Sequence, residues 1–207
     1  MRTILLLFLL HSFSIWTQIQ VHFTVENQLI FPETKIILND GNWIEFETVK
    51  LYLQFPKSKS VSADSVFLID LADSNSLILP LPYSIDHVDL LIGLDSLLNT
   101  SARVDGNLDP ALGMYWAWNS GYIHLKVTGK SSLVTNEKHQ FDWHLGGYRK
   151  PYPTQFSLTK KVKNGKIDFN LDSFIQELRQ SAPTIKLMSP GKKAHQLMSD
   201  FIQSNRQ

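Results

Sequence analysis

The chain has 207 residues, with 20 Lys and Arg against 19 Asp and Glu, 43% hydrophobic and 11% aromatic residues and no cysteine, the profile of a folded globular protein of one domain or little more. Interspersed charges summing to +1 give no basic field for a phosphate backbone, which argues against nucleic acid as a partner. Without cysteine there is no disulfide framework, thiolate zinc site, iron–sulfur cluster, attached c-type haem or Cys nucleophile, so any metal must be held by His, carboxylates, carbonyls or less usual donors.

Residues 1–18 begin with Arg2, continue through the apolar run 4–10 and end in Ser14-Ile15-Trp16-Thr17-Gln18, the charge, apolar and polar order of a secretory signal. The apolar run is too short to cross a bilayer as a stable helix. Cleavage is expected near Thr17 or Gln18. The mature chain, 19–207, has no later segment apolar enough to span and is expected to be exported, periplasmic or secreted, as a single domain.

Short segments with period-two alternation then recur between clusters of Gly, Pro, Asn, Asp and Ser, a spacing that predicts an all-β antiparallel sandwich or barrel-like fold. In the first, Ile19–Val25, Ile19, Val21, Phe23 and Val25 share one face while Gln20, His22 and Thr24 share the other. Further strands are expected over 44–55, 66–71, 77–81, 87–92, 122–127, 139–145 and 154–158. Turns are expected at Asn39-Asp40-Gly41, Pro56-Lys57-Ser58 and Asp105-Gly106-Asn107.

The C-terminal part changes character. Lys166–Asn170 reads as a last strand, and Asp172-Ser173 cap a short helix carrying Phe174, Ile175 and Leu178. In a second helix, Ser189 is the expected N-cap and Pro190 the first turn, with Ala194, Leu197, Met198, Phe201 and Ile202 forming an apolar stripe. This helical segment, about 172–204, is expected to pack as a lid on the sheet.

The stretch 92–129 is dense in special residues, with Tyr115, Trp116, Trp118 and Tyr122 close together. One reading is a long loop whose aromatics plug an end of the sandwich. Another is an exposed stacking platform for carbohydrate, or an adhesive module, because aromatic rings present flat apolar faces to sugars. Asp105, Asn107 and Asp109 have the spacing of an EF-hand start, but Pro110 stands at the sixth position and Trp116 at the twelfth, which excludes that loop. No nucleophile elbow, zinc-protease helix or phosphate-binding glycine loop occurs, so the chain is expected to be non-enzymatic.

The run GMYWAWNSGYIHLKVTG, preceded by IGLDSLLN and GNLDP and followed by FDWHLGGY, resembles the MbnP-like family, exported copper-binding proteins related to one encoded with methanobactin biosynthesis. The C-terminal IKLMSPGKKAHQLMSDFIQSN is similar to that family's helical end. The resemblance covers nearly all of the mature chain. It implies a β-sandwich that binds copper through histidines and a tryptophan oxidised to kynurenine by a dihaem cytochrome c peroxidase-like partner.

Imidazole is a good copper ligand, whereas an intact indole offers only an N–H donor. Opening the indole to kynurenine creates an arylamine and a carbonyl, further donors in a chain without thiolates. His144, just before Leu145-Gly146-Gly147, stands where the resemblance places a histidine and is the first candidate ligand. Asp142 shares its strand face and Trp143 does not. His22, on the first strand, is the second candidate, although no paired histidine accompanies it there. Trp116 or Trp118 is the expected site of oxidation. His124, on a polar strand face, is expected to be solvated.

Overall fold

The computed structural model describes residues 18–55, 66–81, 85–101, 104–118 and 121–206. All but one residue of the signal segment and the Pro56-Lys57-Ser58 turn lie outside these. In chain order the elements are β1 (Ile19–Val25), β2 (Gln28–Leu29), β3 (Lys35–Ile37), β4 (Trp43–Gln54), β5 (Val66–Asp70), β6 (Ile78–Leu79), β7 (His87–Ile92), α1 (Ser96–Thr100), β8 (Tyr115–Trp116), β9 (Gly121–Ser131), β10 (Gln140–Gly146), β11 (Phe156–Lys161), β12 (Lys166–Asn170), α2 (Asp172–Leu178), β13 (Lys186–Leu187) and α3 (Lys192–Ser204).

Two sheets face each other. The smaller runs β12-β1-β2, with β6 also on β1; the larger runs β11-β7-β4-β9-β10-β13, with β3 and β5 on β4 and β8 on β9. They form an open sandwich and do not close into a barrel. Most pairings are antiparallel, but β1 with β12 and β10 with β13 are parallel, so both sheets are mixed. Alternation in β1 buries Ile19, Val21, Phe23 and Val25 against Phe141, Trp143 and Leu145 of β10, and α2 and α3 complete the same core. The stripe Ala194, Leu197, Met198, Phe201 and Ile202 is buried throughout.

The helix starts differ from the sequence expectation. Helix α3 begins at Lys192, after Gly191 at φ +147, a backbone conformation that side-chain-bearing residues rarely adopt; Ser189 and Pro190 therefore lie outside the helix. At α2 the Asp172 side chain accepts from the Glu26 N–H at 2.6 Å, tying the helix start to the end of β1.

Strand β9 departs from simple alternation. Gly121 to Leu125 are all buried, because the outer face of the large sheet carries a second apolar cluster at this end. Residues 94–101 and 104–118 lay Leu94, Leu108, Met114 and Trp116 over Tyr52 and Tyr122. A register shift against β10 places Gly146 opposite Ile123 and Leu145 opposite Leu125, so the strand carries a bulge at His124.

The lid is expected to be integral to stability. Phe201 is fully buried, with its ring centroid 6.1 Å from Phe169 and 5.9 Å from Phe174. Phe201→Ala should cost about 3–5 kcal/mol, read as a lowered urea midpoint; an unchanged midpoint would show that α3 is not part of the cooperative core.

Candidate functional site

On the outer face of the large sheet, the register sets Lys50 of β4, Lys126 of β9 and His144 of β10 in one row. One residue pair along lie Thr48, Thr128 and Asp142. Glu47, Thr48, Lys126, Thr128, Asp142 and His144 line an open depression of about 310 Å³. His144 is 7% exposed, and its Nε2 lies 2.9 Å from Asp142 Oδ1. Its Nδ1, like Asp142 Oδ1, is buried without a hydrogen-bond partner among the described residues. Burial lowers the His144 pKa, outweighing the raising effect of Asp142, and Lys126 and Lys186 lower it further. The ring is therefore neutral at physiological pH. In the tautomer that places the ring proton on Nε2, facing the carboxylate, the Nδ1 lone pair is free.

His22 is not part of this arrangement. Val21 and Phe23 on one sheet and Trp143 and Leu145 on the other enter the same core, so His22 and His144 project to opposite outer faces of the sandwich. One ion cannot bridge them. His22 Nδ1 instead lies 3.5 Å from Asp168, its strand partner on β12. Among the described residues no group of three or more His, Cys, Asp or Glu is arranged to hold a metal.

The two candidate tryptophans differ. The extended stretch ends at Trp116, and Trp118 falls in a turn, so they do not share a strand face. Their rings nevertheless meet, 5.6 Å apart and tilted by 41°. Trp116 is buried and Trp118 is 65% exposed. A Cβ on Gly146 would come within 2.8 Å of Trp116 Cζ3. The indole thus occupies the space a side chain would fill on β10, two residues beyond His144 and on the same face. With Trp116 and Tyr122 buried and Tyr115 half-buried, the aromatic cluster forms no exposed stacking platform. Asn107 and Asp109 serve the backbone: Asn107 Nδ2 donates to Val66 O and Asp109 Oδ1 accepts from Ala111 N–H.

His124, expected to be solvated, is fully buried. The covering residues 94–101 and 104–118 convert this polar strand position into an interior one. Thr154 Oγ1 donates to Gly147 O at 3.1 Å and lies 2.9 Å from His124 Nδ1. Asn99 Nδ2, from α1, lies 3.1 Å from Nε2. The network is satisfied when Nδ1–H donates to Thr154 and Nε2 accepts from Asn99. A Cβ on Gly93 would sit 2.7 Å from Nδ1, so glycine there leaves room for the ring.

Beside it, the loop 147–152, together with Trp116, Tyr122 and Pro190, encloses a cavity of about 220 Å³. Sequence reading missed this loop, although GGYRKPYP is dense in aromatic, cationic and proline residues.

The fold and this surface define a mixed β-sandwich with a helical lid, bearing a buried neutral imidazole on its larger sheet. The chain belongs to the MbnP family: the family model described as MbnP matches residues 17–189. Its structure is similar to that of MbnP from Methylosinus trichosporium, at 11% sequence identity and a TM-score of 0.56, over 85% of this chain and 82% of that one. No curated protein matches it.

Burial lowers the His124 pKa to about 4 from 6.5. As pH falls the unfolded chain takes up this proton first. The stabilisation is complete above about pH 6.5 and is lost progressively towards pH 4, by about 3 kcal/mol. His22 and His144, also lowered by burial, act in the same direction. Urea unfolding at pH 7, 5.5 and 4.5 should show the decline; a stability independent of pH over this range would contradict the neutral buried imidazole.

Proposed function

We propose that this protein is an exported, non-enzymatic copper carrier in which His144 Nδ1 is the first donor and a kynurenine formed from Trp116 or Trp118 supplies another. The reading rests on one observation above all: a buried imidazole with its Nε2 facing a carboxylate and its Nδ1 unpartnered, the arrangement by which an outer carboxylate orients a histidine ligand. Imidazole suits copper, and the carboxylate adds basicity to the ring. Family membership and the secretory character of residues 1–18 support the same reading.

The intact indole cannot complete the donor set, because it carries no available lone pair. Oxidative ring opening adds two oxygen atoms to give N-formylkynurenine, and hydrolysis with one water then releases the carbon as formate, a net gain of one oxygen and loss of one carbon; the oxidant must come from outside the chain, and a dihaem cytochrome c peroxidase-like partner is the proposed source. Trp118 meets solvent and touches Trp116, whose ring overlies Gly146 on the strand that carries His144. His22 has no part in this site.

Protein purified from its own source should contain stoichiometric copper and a tryptophan peptide heavier by one oxygen less one carbon. His144→Ala should lose the copper, and Asp142→Asn should bind it about 10–100-fold more weakly, measured by competition with a copper chelator. Copper retained in His144→Ala, or protein from its own source with neither copper after loading nor a mass change, would overturn the proposal.

A further inference from the structure

We infer that the cavity beside the buried His124 network is a binding site for a small aromatic carboxylate in protein whose Trp116 is unoxidised. Its walls are Trp116, Tyr122, Tyr148, Tyr152 and Pro190, and the charged residues lining it are Arg149 and Lys150. Among the described residues no Asp or Glu lines it. The Arg149 guanidinium lies over the Tyr148 ring, 5.4 Å from its centroid, and its Nε donates to Tyr148 Oη at 3.3 Å. A planar apolar ligand is met by rings on several sides, and a negative charge on it by the exposed cations at the mouth. The volume of about 220 Å³ suits one or two fused rings.

Trp116 is 5% exposed, and its Nε1–H is buried without an acceptor among the described residues. An unpaired buried donor is costly, and tryptophan N–H groups usually find a partner. That nitrogen is closed even to a water-sized probe, so a ligand in the cavity packs on the Trp116 ring and does not bond its N–H. Among the described residues the side chains lining the cavity include no carboxylate or amide, a lining that favours an aromatic acid over the many hydroxyls of a sugar.

The walls are held in place before any ligand arrives. Thr154 N–H and Oγ1 both donate to Gly147 O, closing the base of the loop, and His124 Nδ1 lies against the same hydroxyl. His195 of α3 holds Pro153 O through its Nδ1. Gly147 sits at φ +121, where a Cβ would come 2.8 Å from the Pro190 side chain, so the two wall segments meet where a larger residue would part them. A preformed cavity forgoes the ordering cost of closure.

The test uses metal-free protein with unoxidised tryptophan, so its outcome does not depend on copper binding or on kynurenine. Benzoate, its uncharged analogue benzamide, and glucose are titrated separately while the indole N–H resonances are followed by NMR, Trp116 being assigned through Trp116→Phe. Benzoate should shift the Trp116 indole resonance saturably with a Kd below about 1 mM. Benzamide should bind about tenfold more weakly, and Arg149→Gln, an exposed change, should weaken benzoate by about the same factor. Absence of a saturable shift with benzoate, equal binding of benzamide, or a response to glucose alone would overturn the assignment.

Discussion

One end of the outer face of the large sheet is covered by residues 94–101 and 104–118, and the row of Lys50, Lys126 and His144 lies beyond it; the chemistry of this protein is arranged along that edge. Under the roof Tyr52, Tyr122 and His124 are interior residues, although their strand alternation would put them in water. Beyond it Lys50, Lys126 and Asp142 keep partial access to solvent. His144 and Gly146 lie on either side of the boundary along one strand. The change from a low-dielectric interior to a polar surface within two residues explains why the two buried imidazoles differ. His124 is saturated with hydrogen bonds, whereas His144 keeps one nitrogen uncommitted.

Much of the fold was legible where one face of an element meets water. Strands β1 and β12 and the stripe of α3 follow their periods almost residue by residue, because a single buried face imposes them. Strand β9 was read only in part, since burial on both faces erases alternation. Strands β2, β3 and β13 are two or three residues long and leave no periodic signal. Within the site, alternation placed Asp142 beside His144. That His22 faces the opposite side follows from the two sheets sharing one core, a tertiary fact invisible in either strand alone. The cavity lined by Trp116, Tyr148 and Pro190 joins segments far apart in sequence, and only folding brings them together.

At the far side of the lid a buried polar knot joins the layers. Lys160 of β11, 3% exposed, donates from Nζ to Asn205 O at 3.2 Å. The Asn205 side chain in turn accepts from Asn170 N–H and donates to Asn170 O, both at 2.8 Å. One amide thus joins β12 of the small sheet to the end of α3, while its own carbonyl receives the amine of the large sheet. Burial lowers the Lys160 pKa, so this contact carries a desolvation cost that its hydrogen bonds offset. Its effect is to fix how the lid sits on the sandwich, more than to add net stability.

The tryptophans also make the roof optically visible. Trp118 is 65% exposed, while Trp116 beneath it and Trp143 in the main core are shielded. An aqueous quencher such as iodide meets the first ring long before the other two. Lifting the roof would admit it to Trp116 while Trp143, with its Nε1 donating to Thr184 O and its ring stacked on Phe174, stays protected. With the half-buried Trp43 of β4 replaced by phenylalanine, the fluorescence therefore separates opening of the outer face from melting of the core, without any added label.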